Sequence, residues 1–276
     1  MENKKERIVI RLGQHHLSFS SVDPTNTESP ITYEPYVVKS GMSMAANLRE
    51  ALKGAALKEM GIRKVLAMID AKILLVPVEQ FEEDKINQMY NHSYPQKQSQ
   101  DTVFFNVLPD LNAVAAFALN KDLKMVLDDN FAEVKLMTAL TPVWKYLHRR
   151  SFTGVRNKLY GYFHDQKLDI FAFHQNRFKF YNQFEVSRPQ DALYFLLYVW
   201  KQLLLSAEHD ELHLVGDIFT KNALITHNDQ EWLVKELHKY LLNVYVINPT
   251  ADFNRAPATK IKDMPFDLIT LFTKGR

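Results

Sequence analysis

The chain contains no cysteine among its 276 residues, which excludes a disulfide framework and a thiolate metal site. An excess of either charge is also missing, because 34 Lys and Arg residues balance 32 Asp and Glu residues. General nucleic-acid binders carry surplus basic residues, so no nucleic-acid partner is expected. Glycine is scarce, with 8 residues, although phosphate-binding loops need glycine wherever the backbone must approach the ligand closely.

The sequence has no apolar run long enough to span a membrane. The most apolar segment, DALYFLLYVWKQLLL, is interrupted by Lys201 and Gln202. It therefore falls short of the roughly 20 residues that a span requires. The first residues pass from charges directly into a strand pattern, without the apolar core of a signal peptide. We expect a cytoplasmic protein with no membrane span.

One order of elements occurs twice. The first half opens with a three-strand meander, IVIRLG, LSF and ITYEPYVV, followed by the helical pattern SMAANLREALKGAALKEM and the β run KVLAMID. The second half repeats this order with KLYGYF, LDIFAF and RFKFYNQFEV, then a helix with a capping box at Ser187 and Gln190, then the strand ELHLVGD. Parallel strands joined by helices, with an antiparallel hairpin at one edge, predict an α/β protein with mixed sheets covered on both faces.

The repeated unit resembles the ribonuclease H-like domain that the actin-like ATPase superfamily uses twice. It is most similar to the bacterial branch that contains pilus-assembly and cell-division actin homologues. More narrowly, the chain resembles an uncharacterised bacterial family of that superfamily with no assigned activity. The resemblance implies duplicated ribonuclease H-like domains, at residues 1–150 and 151–276.

The phosphate-binding turns of this superfamily are altered here. Members that bind ATP carry Asp-x-Gly in the first hairpin of each domain, with Asp for the metal and Gly for close approach. In the first hairpin Gly13 keeps its place, but Arg11 stands at the Asp position. In the second hairpin Tyr162 and His164 occupy these two places. Asp165 lies one step beyond, where it serves as a turn residue.

The adenosine motif of the superfamily, an apolar strand that ends in Gly-Gly, corresponds to LHLVGDIF. Gly216 remains, and Asp217 replaces the second glycine with a negative charge. The resemblance therefore implies a vestigial nucleotide cleft with no catalytic residue, no metal and no cofactor, and with ATP plus Mg as the alternative cofactor. The residues assigned to this cleft are Arg11, Gly13, Gln14, Asp165, Gly216 and Asp217.

Arg11 has three interpretations. The commonest interpretation is a strand arginine that faces solvent or pairs with a local carboxylate. A guanidinium can also bind phosphate directly, without a metal. Finally, Arg11 can act as a structural plug that pairs with Asp165 or Asp217. Between the anion-binding role and the structural plug, we favour the plug.

Two histidine patterns have structural explanations. HDELH, from His209 to His213, is similar to a zinc-protease motif, but that motif needs a helix and this segment predicts a strand. His15 and His16 lie at or just after the first turn. Adjacent residues on a strand point to opposite faces, so we do not expect these two histidines to chelate one ion.

A nuclease on this fold would need clustered carboxylates for two metal ions. Glu50 and Asp70 fall at suggestive places, but the first strand lacks its Asp. The aromatic meander FAFHQNRFKFYNQF is expected to form core or a protein interface rather than a nucleic-acid surface.

Two functions remain open from the sequence. The first is a non-catalytic actin-like scaffold or protein-binding module of unknown biological role, with degenerate phosphate-binding loops and a protein partner. The second is a divergent ATP-binding actin-like ATPase or kinase-like enzyme. In the second case Gly13, Asp165 and Gly216 would contact the nucleotide, and Asp70 would position a metal or a water molecule.

Overall fold

The computed structural model of the chain describes residues 8–22, 30–54, 64–95, 101–175, 177–218 and 228–273. The chain divides into two compact units. The first unit comprises Met1–Leu108 and Ala113–Thr141, and the second comprises Pro109–Asn112 and Pro142–Arg276. The proposed domain limits at residues 1–150 and 151–276 stay a prediction.

The elements that begin in the first half are, in chain order, β1 Ile8–Leu12, β2 Leu17–Val22, β3 Ile31–Tyr36, α1 Met44–Gly54, β4 Lys64–Ile69, β5 Ile73–Pro77, α2 Ile86–Ser93, β6 Asp101–Leu108, β7 Ala113–Asn120, α3 Lys121–Asn130, β8 Glu133–Thr138 and α4 Leu140–Ser151. Helix α1 confirms the first part of the predicted helical pattern. The remainder of that pattern, residues 55–60, lies outside the described residues.

The main sheet of the first unit has the strand order β3-β2-β1-β4-β8. β1 and β2 form the antiparallel hairpin, and β1, β4 and β8 run parallel. Every residue of the central strand β1 is buried, as expected for a strand with both faces covered. A second sheet, in the order β5-β7-β6, is inserted between β4 and α3. Helix α2 covers it, through Ile86 and Tyr90 against Val76 and Ala116.

The elements of the second half are β9 Lys158–His164, β10 Lys167–His174, β11 Arg177–Glu185, α5 Pro189–Gln202, β12 Glu211–Gly216, α6 Asn228–Leu237, β13 Asn243–Val246, α7 Pro249–Asp252 and α8 Phe266–Phe272. The sheet order is β11-β10-β9-β12-β13. This order is equivalent to that of the first sheet, with β11, β10, β9, β12 and β13 in the places of β3, β2, β1, β4 and β8. The two sheets confirm the duplicated, ribonuclease H-like α/β architecture.

The two faces of the second sheet differ in chemistry. One face packs against α5 and α6 through aliphatic residues that include Leu159, Leu168, Ile170, Leu212, Leu214, Leu196 and Leu233. The opposite face carries one ring from each strand, in register: Tyr181, Phe171, Tyr160, His213 and Tyr245. We call these five side chains the ring row. Within it the His213 ring lies 5.5 Å from Tyr160 and 5.2 Å from Tyr245.

Two further sequence predictions concern helices. The sequence pattern predicts the capping box of α5 one residue earlier than the structure shows it. Helix α5 begins at Pro189, and the carboxylate of Asp191, not the Gln190 amide, accepts from the backbone N–H groups of Ser187 and Arg188 at 3.3 and 3.1 Å. Within the described part of the chain, no helix combines the length and the apolar character that crossing a bilayer demands.

Candidate functional site: the two hairpin turns

Arg11 lies on the central strand of the first sheet, between Ser18 of β2 and Met68 of β4. It is buried, with 2% of its surface exposed, so the interpretation that it faces solvent is wrong. A guanidinium stays charged at every ordinary pH, and burying it requires partners. Arg11 does have polar or electrostatic partners in the folded chain. The choice between an anion ligand and a structural plug stays a prediction.

The first hairpin turn comprises Gly13, Gln14, His15 and His16. Leu12 and Leu17 are the last paired residues before it, and the backbone N–H of Gly13 donates to the carbonyl of His16 at 3.0 Å. Both histidines therefore belong to the turn itself rather than to the strand that follows it. Gln14 and His15 are exposed. These two side chains point away from the packed part of the turn.

The His16 ring covers Gly13. A β-carbon added to Gly13 would overlap the imidazole, so a larger residue at this position would have to displace the His16 ring. The space beside the Gly13 α-carbon is therefore occupied by the His16 side chain. The Nε2 atom of His16 lies 3.9 Å from Oδ2 of Asp70, whose side chain is 3% exposed.

Asp70 reaches this turn because of strand register. It follows β4 directly, and its backbone N–H donates to the carbonyl of Leu12 at 2.8 Å. The approach of Asp70 to His16 was missed from the sequence, where parallel pairing between distant strands leaves no local signal. Glu50, the other acid considered for a nuclease, forms an ion pair with Lys39 at the surface.

The second hairpin closes through a two-residue turn. His164 and Lys167 are paired, and Asp165 and Gln166 between them have φ values of 46° and 61°. Positive φ at both positions defines the type I′ turn that matches strand twist. Asp165 is thus a turn residue, as the sequence predicted.

A buried polar network lies beside this second turn. Asp169 is fully buried, and its carboxylate is hydrogen-bonded to His164. It also accepts from the Tyr181 hydroxyl at 2.9 Å and from the Gln183 amide at 3.3 Å. The Nδ1 atom of His164 lies 3.5 Å from the Asp165 carboxylate. The network ties β9, β10 and β11 together on one face of the sheet.

The sequence resemblance assigns Tyr162 to the position at which ATP-binding relatives carry a carboxylate. Its hydroxyl donates to the buried carboxylate of Asp267 at 3.3 Å, and its ring stacks on His164 with centroids 4.6 Å apart. The aromatic side chain at this position is therefore part of the internal packing of the second unit.

Gly216 is needed for two internal reasons. Its φ is 93°, a value that favours glycine. An added β-carbon would overlap the carbonyl of Phe163 and lie 2.8 Å from the Tyr162 ring. The next residue, Asp217, donates its backbone N–H to that same carbonyl at 2.8 Å. Packing alone thus explains this glycine.

The HDELH segment lacks the geometry of a zinc site, as predicted. His213 lies on strand β12, whereas His209 is exposed in the preceding turn. The Nε2 atom of His213 is 2.9 Å from the Glu211 carboxylate. Burial lowers the pKa of His213 below its usual 6.5, although the hydrogen bond to Glu211 acts in the opposite direction.

Comparisons with solved structures give the fold a name. A Bacteroides thetaiotaomicron protein, described as having an actin-like ATPase fold and unknown function, is 28% identical with a TM-score of 0.78; the match covers 95% of this chain and 98% of that one. The PilM–PilN type IV pilus biogenesis complex contains a chain that is 13% identical with a TM-score of 0.51, over 97% of this chain and 96% of that one. This chain has the actin-like ATPase fold.

Sequence comparisons add the family. No curated protein is significantly similar to the chain. A family model described as protein of unknown function, DUF3822, matches residues 1–244. The chain belongs to the DUF3822 family.

Proposed function

We propose that the chain is a non-catalytic, cytoplasmic actin-like scaffold or protein-binding module. The observation that carries this proposal is the filling of two glycine positions from within. The His16 ring covers Gly13, and the Tyr162 ring covers Gly216. These are the positions at which ATP-binding relatives leave the backbone open to a nucleotide.

The backbone donors support the same conclusion. Phosphates are held by free N–H groups at glycine turns. Here the N–H of Gly13 donates to His16 and the N–H of Asp217 donates to Phe163, so neither is offered to a ligand.

The charges at these positions oppose a bound metal. ATP-binding relatives anchor magnesium on a carboxylate at one position of each hairpin, and at those two positions this chain has Arg11 and Tyr162. A permanent cation at position 11 repels a metal, and the negative charge of Asp217 repels a nucleotide phosphate. Each substitution weakens Mg-ATP binding independently of the other.

A protein partner is favoured by two observations. The similar PilM chain is found in a complex with PilN, another protein. Exposed aromatic and apolar side chains, which protein interfaces favour, are present on the second unit at Tyr194, Tyr198 and Leu204.

Isothermal titration with Mg-ATP, with Mg-ADP and with metal-free ATP tests the proposal. We expect no saturable binding with a Kd below about 10 μM, equivalent to roughly −7 kcal/mol. Saturable binding below that value would overturn the proposal in favour of a divergent ATPase or kinase-like enzyme.

A Gly13→Ala variant provides the matched control for this titration. In a nucleotide-binding turn the added methyl group would block the phosphate and weaken binding. In the proposed scaffold the same methyl group displaces the His16 ring and leaves every titration unchanged.

A further inference from the structure

Three connections meet at one end of the second sheet. Strands β9, β12 and β13 run parallel and begin at the same level, because Glu211 is paired with Lys158 on one side and with Asn243 on the other. Hydrogen bonds join the connections that precede these strands: the Asn157 side chain donates to the Asp210 carboxylate at 3.0 Å, and the backbone N–H of Leu242 donates to the carbonyl of Ala207 at 2.9 Å. The three connections therefore form one continuous surface of the second unit.

Large apolar side chains are exposed on this surface. They lie in the connections before β9, β12 and β13, and they are Phe152, Val155, Leu204, Tyr240 and Leu242. We call these five side chains the apolar end. Val155 is fully exposed and Leu204 is 91% exposed, so both protrude from the surface rather than line a groove. Single exposed apolar residues are ordinary, but a group of them at one end of a unit indicates an interaction site.

The duplicated architecture does not itself require this apolar end. In the first unit, β8 has the place that β13 has in the second. The residues before β8 are exposed and polar, namely Asp128, Asp129 and Asn130, and the ring that follows them, Phe131, is buried. Before β13, by contrast, Tyr240 and Leu242 are exposed. The apolar end is therefore a property of this part of the sequence rather than of the fold.

The exposed charges beside the apolar end are mostly positive. The structure describes residues 149–157, 201–210 and 238–242 throughout, and the exposed charged residues in these ranges are the cations Arg149, Arg156, Lys201 and Lys239 and the acid Glu208. Arg156 and Lys239 lie near the carboxylates of Glu211 and Glu236, which leaves Arg149 and Lys201 as the cations most available to a partner. A partner with negative charge is therefore favoured.

We propose that the apolar end docks on the surface of an anionic lipid membrane, with its side chains in the headgroup region. A protein partner would need a fitted pocket for each protruding side chain, whereas the lipid–water boundary is fluid and adapts to their shape. Apolar side chains beside cations are typical of proteins that lie on membranes, and tyrosine is enriched at that boundary. Docking at this end leaves Tyr194 and Tyr198, exposed on α5, for the protein partner of the proposed scaffold.

Flotation with lipid vesicles tests the docking. Vesicles of phosphatidylcholine with about one quarter phosphatidylglycerol should bind the chain at least about 10-fold more tightly than vesicles of phosphatidylcholine alone. Val155→Asp and Leu242→Asp should each weaken this binding about 10-fold, because they place a charge where an apolar side chain enters the membrane surface. The matched control is Met125→Asp, a change of an exposed apolar residue on α3, and it should leave the binding unchanged. Circular dichroism verifies that the variants remain folded.

Neutral substitutions test the contribution of charge. Arg149→Gln and Lys201→Gln should each weaken binding to the anionic vesicles about 5-fold, and Lys121→Gln, at an exposed site on α3, should not. Equal binding to both kinds of vesicle, or binding that neither aspartate variant weakens, would overturn the proposal. So would the absence of binding at lipid concentrations up to about 1 mM, roughly ten times the level at which one myristoyl chain is half bound; the apolar end would then be assigned to a protein. The Mg-ATP titration measures the proposed scaffold role separately from all these outcomes.

Discussion

Removing the carboxylate of Asp169 should destabilise the second unit strongly. Three donors converge on this fully buried group: His164, Tyr181 and Gln183. In Asp169→Ala the His164 ring, 4% exposed, loses its charged partner inside the protein. Tyr181 and Gln183 are half-buried and recover part of their hydrogen bonding from water. The substitution removes one buried contact to a charged group and two half-buried contacts from neutral donors. Together these losses should lower the free energy of unfolding by about 3–5 kcal/mol.

The assay follows from the distribution of tryptophan. All three tryptophans, Trp144, Trp200 and Trp232, belong to the second unit. Urea unfolding followed by tryptophan fluorescence therefore measures the free energy of unfolding of the unit that contains Asp169. Asp129→Ala, an exposed substitution on α3, should change this free energy by less than about 0.5 kcal/mol.

A double-mutant cycle separates the pair from the rest of the network. With His164→Ala as the second substitution, the coupling energy between Asp169 and His164 should be about 1.5–3 kcal/mol. A loss below about 1 kcal/mol for Asp169→Ala, or a coupling energy near zero, would refute the reasoning that the buried carboxylate holds the three strands together.

Three further changes have defined outcomes. Because burial lowers the pKa of His213, the unfolded chain binds a proton that the folded chain excludes, and stability should fall as the pH drops below about 6.5; in urea titrations at pH 7.5 and 5.5, His213→Phe should reduce this fall and the exposed His209→Phe should not. Gly216→Ala should cost about 2–4 kcal/mol in thermal unfolding, because of its φ and the carbonyl that its methyl group meets; a cost below 1 kcal/mol would contradict that steric account. Arg11→Ala should lower stability by about 1–3 kcal/mol, measured by far-UV circular dichroism; unchanged stability with lost phosphate binding would favour the anion-ligand role instead.

The repeated architecture could be predicted because it depends on local patterns. Alternating apolar residues mark the meander strands, and glycine or polar pairs mark the turns, as at Asp165 and Gln166. These signals recur in the same order in both halves, and the two sheets have equivalent strand orders. The inserted sheet of β5, β6 and β7 was also visible as apolar runs, but its separation from the main sheet depends on pairing between distant strands.

The details of the candidate site could not be predicted for a similar reason. The burial of Arg11 depends on both faces of β1 being covered, which a five-residue pattern does not reveal. The contacts of Asp169 require the register of three strands. The position of the His16 ring over Gly13 depends on a side-chain conformation inside a turn. The sequence alone does not distinguish His15 from His16 as the residue that covers the glycine.

The ring row has a consequence for how the second half of the chain tolerates length changes. Each ring has an apolar neighbour one residue away that belongs to the core shared with α5 and α6, as Tyr160 has Leu159 and Tyr181 has Phe180. Deleting one residue within β9, β10 or β12 would turn the ring of that strand toward the helices and an aliphatic side chain toward the opposite face. The same exchange of faces would affect every residue of the strand beyond the deletion. Insertions and deletions are therefore expected to be accepted only in the connections between strands, and a library of single-residue deletions should show these strands as uninterrupted stretches without folded members.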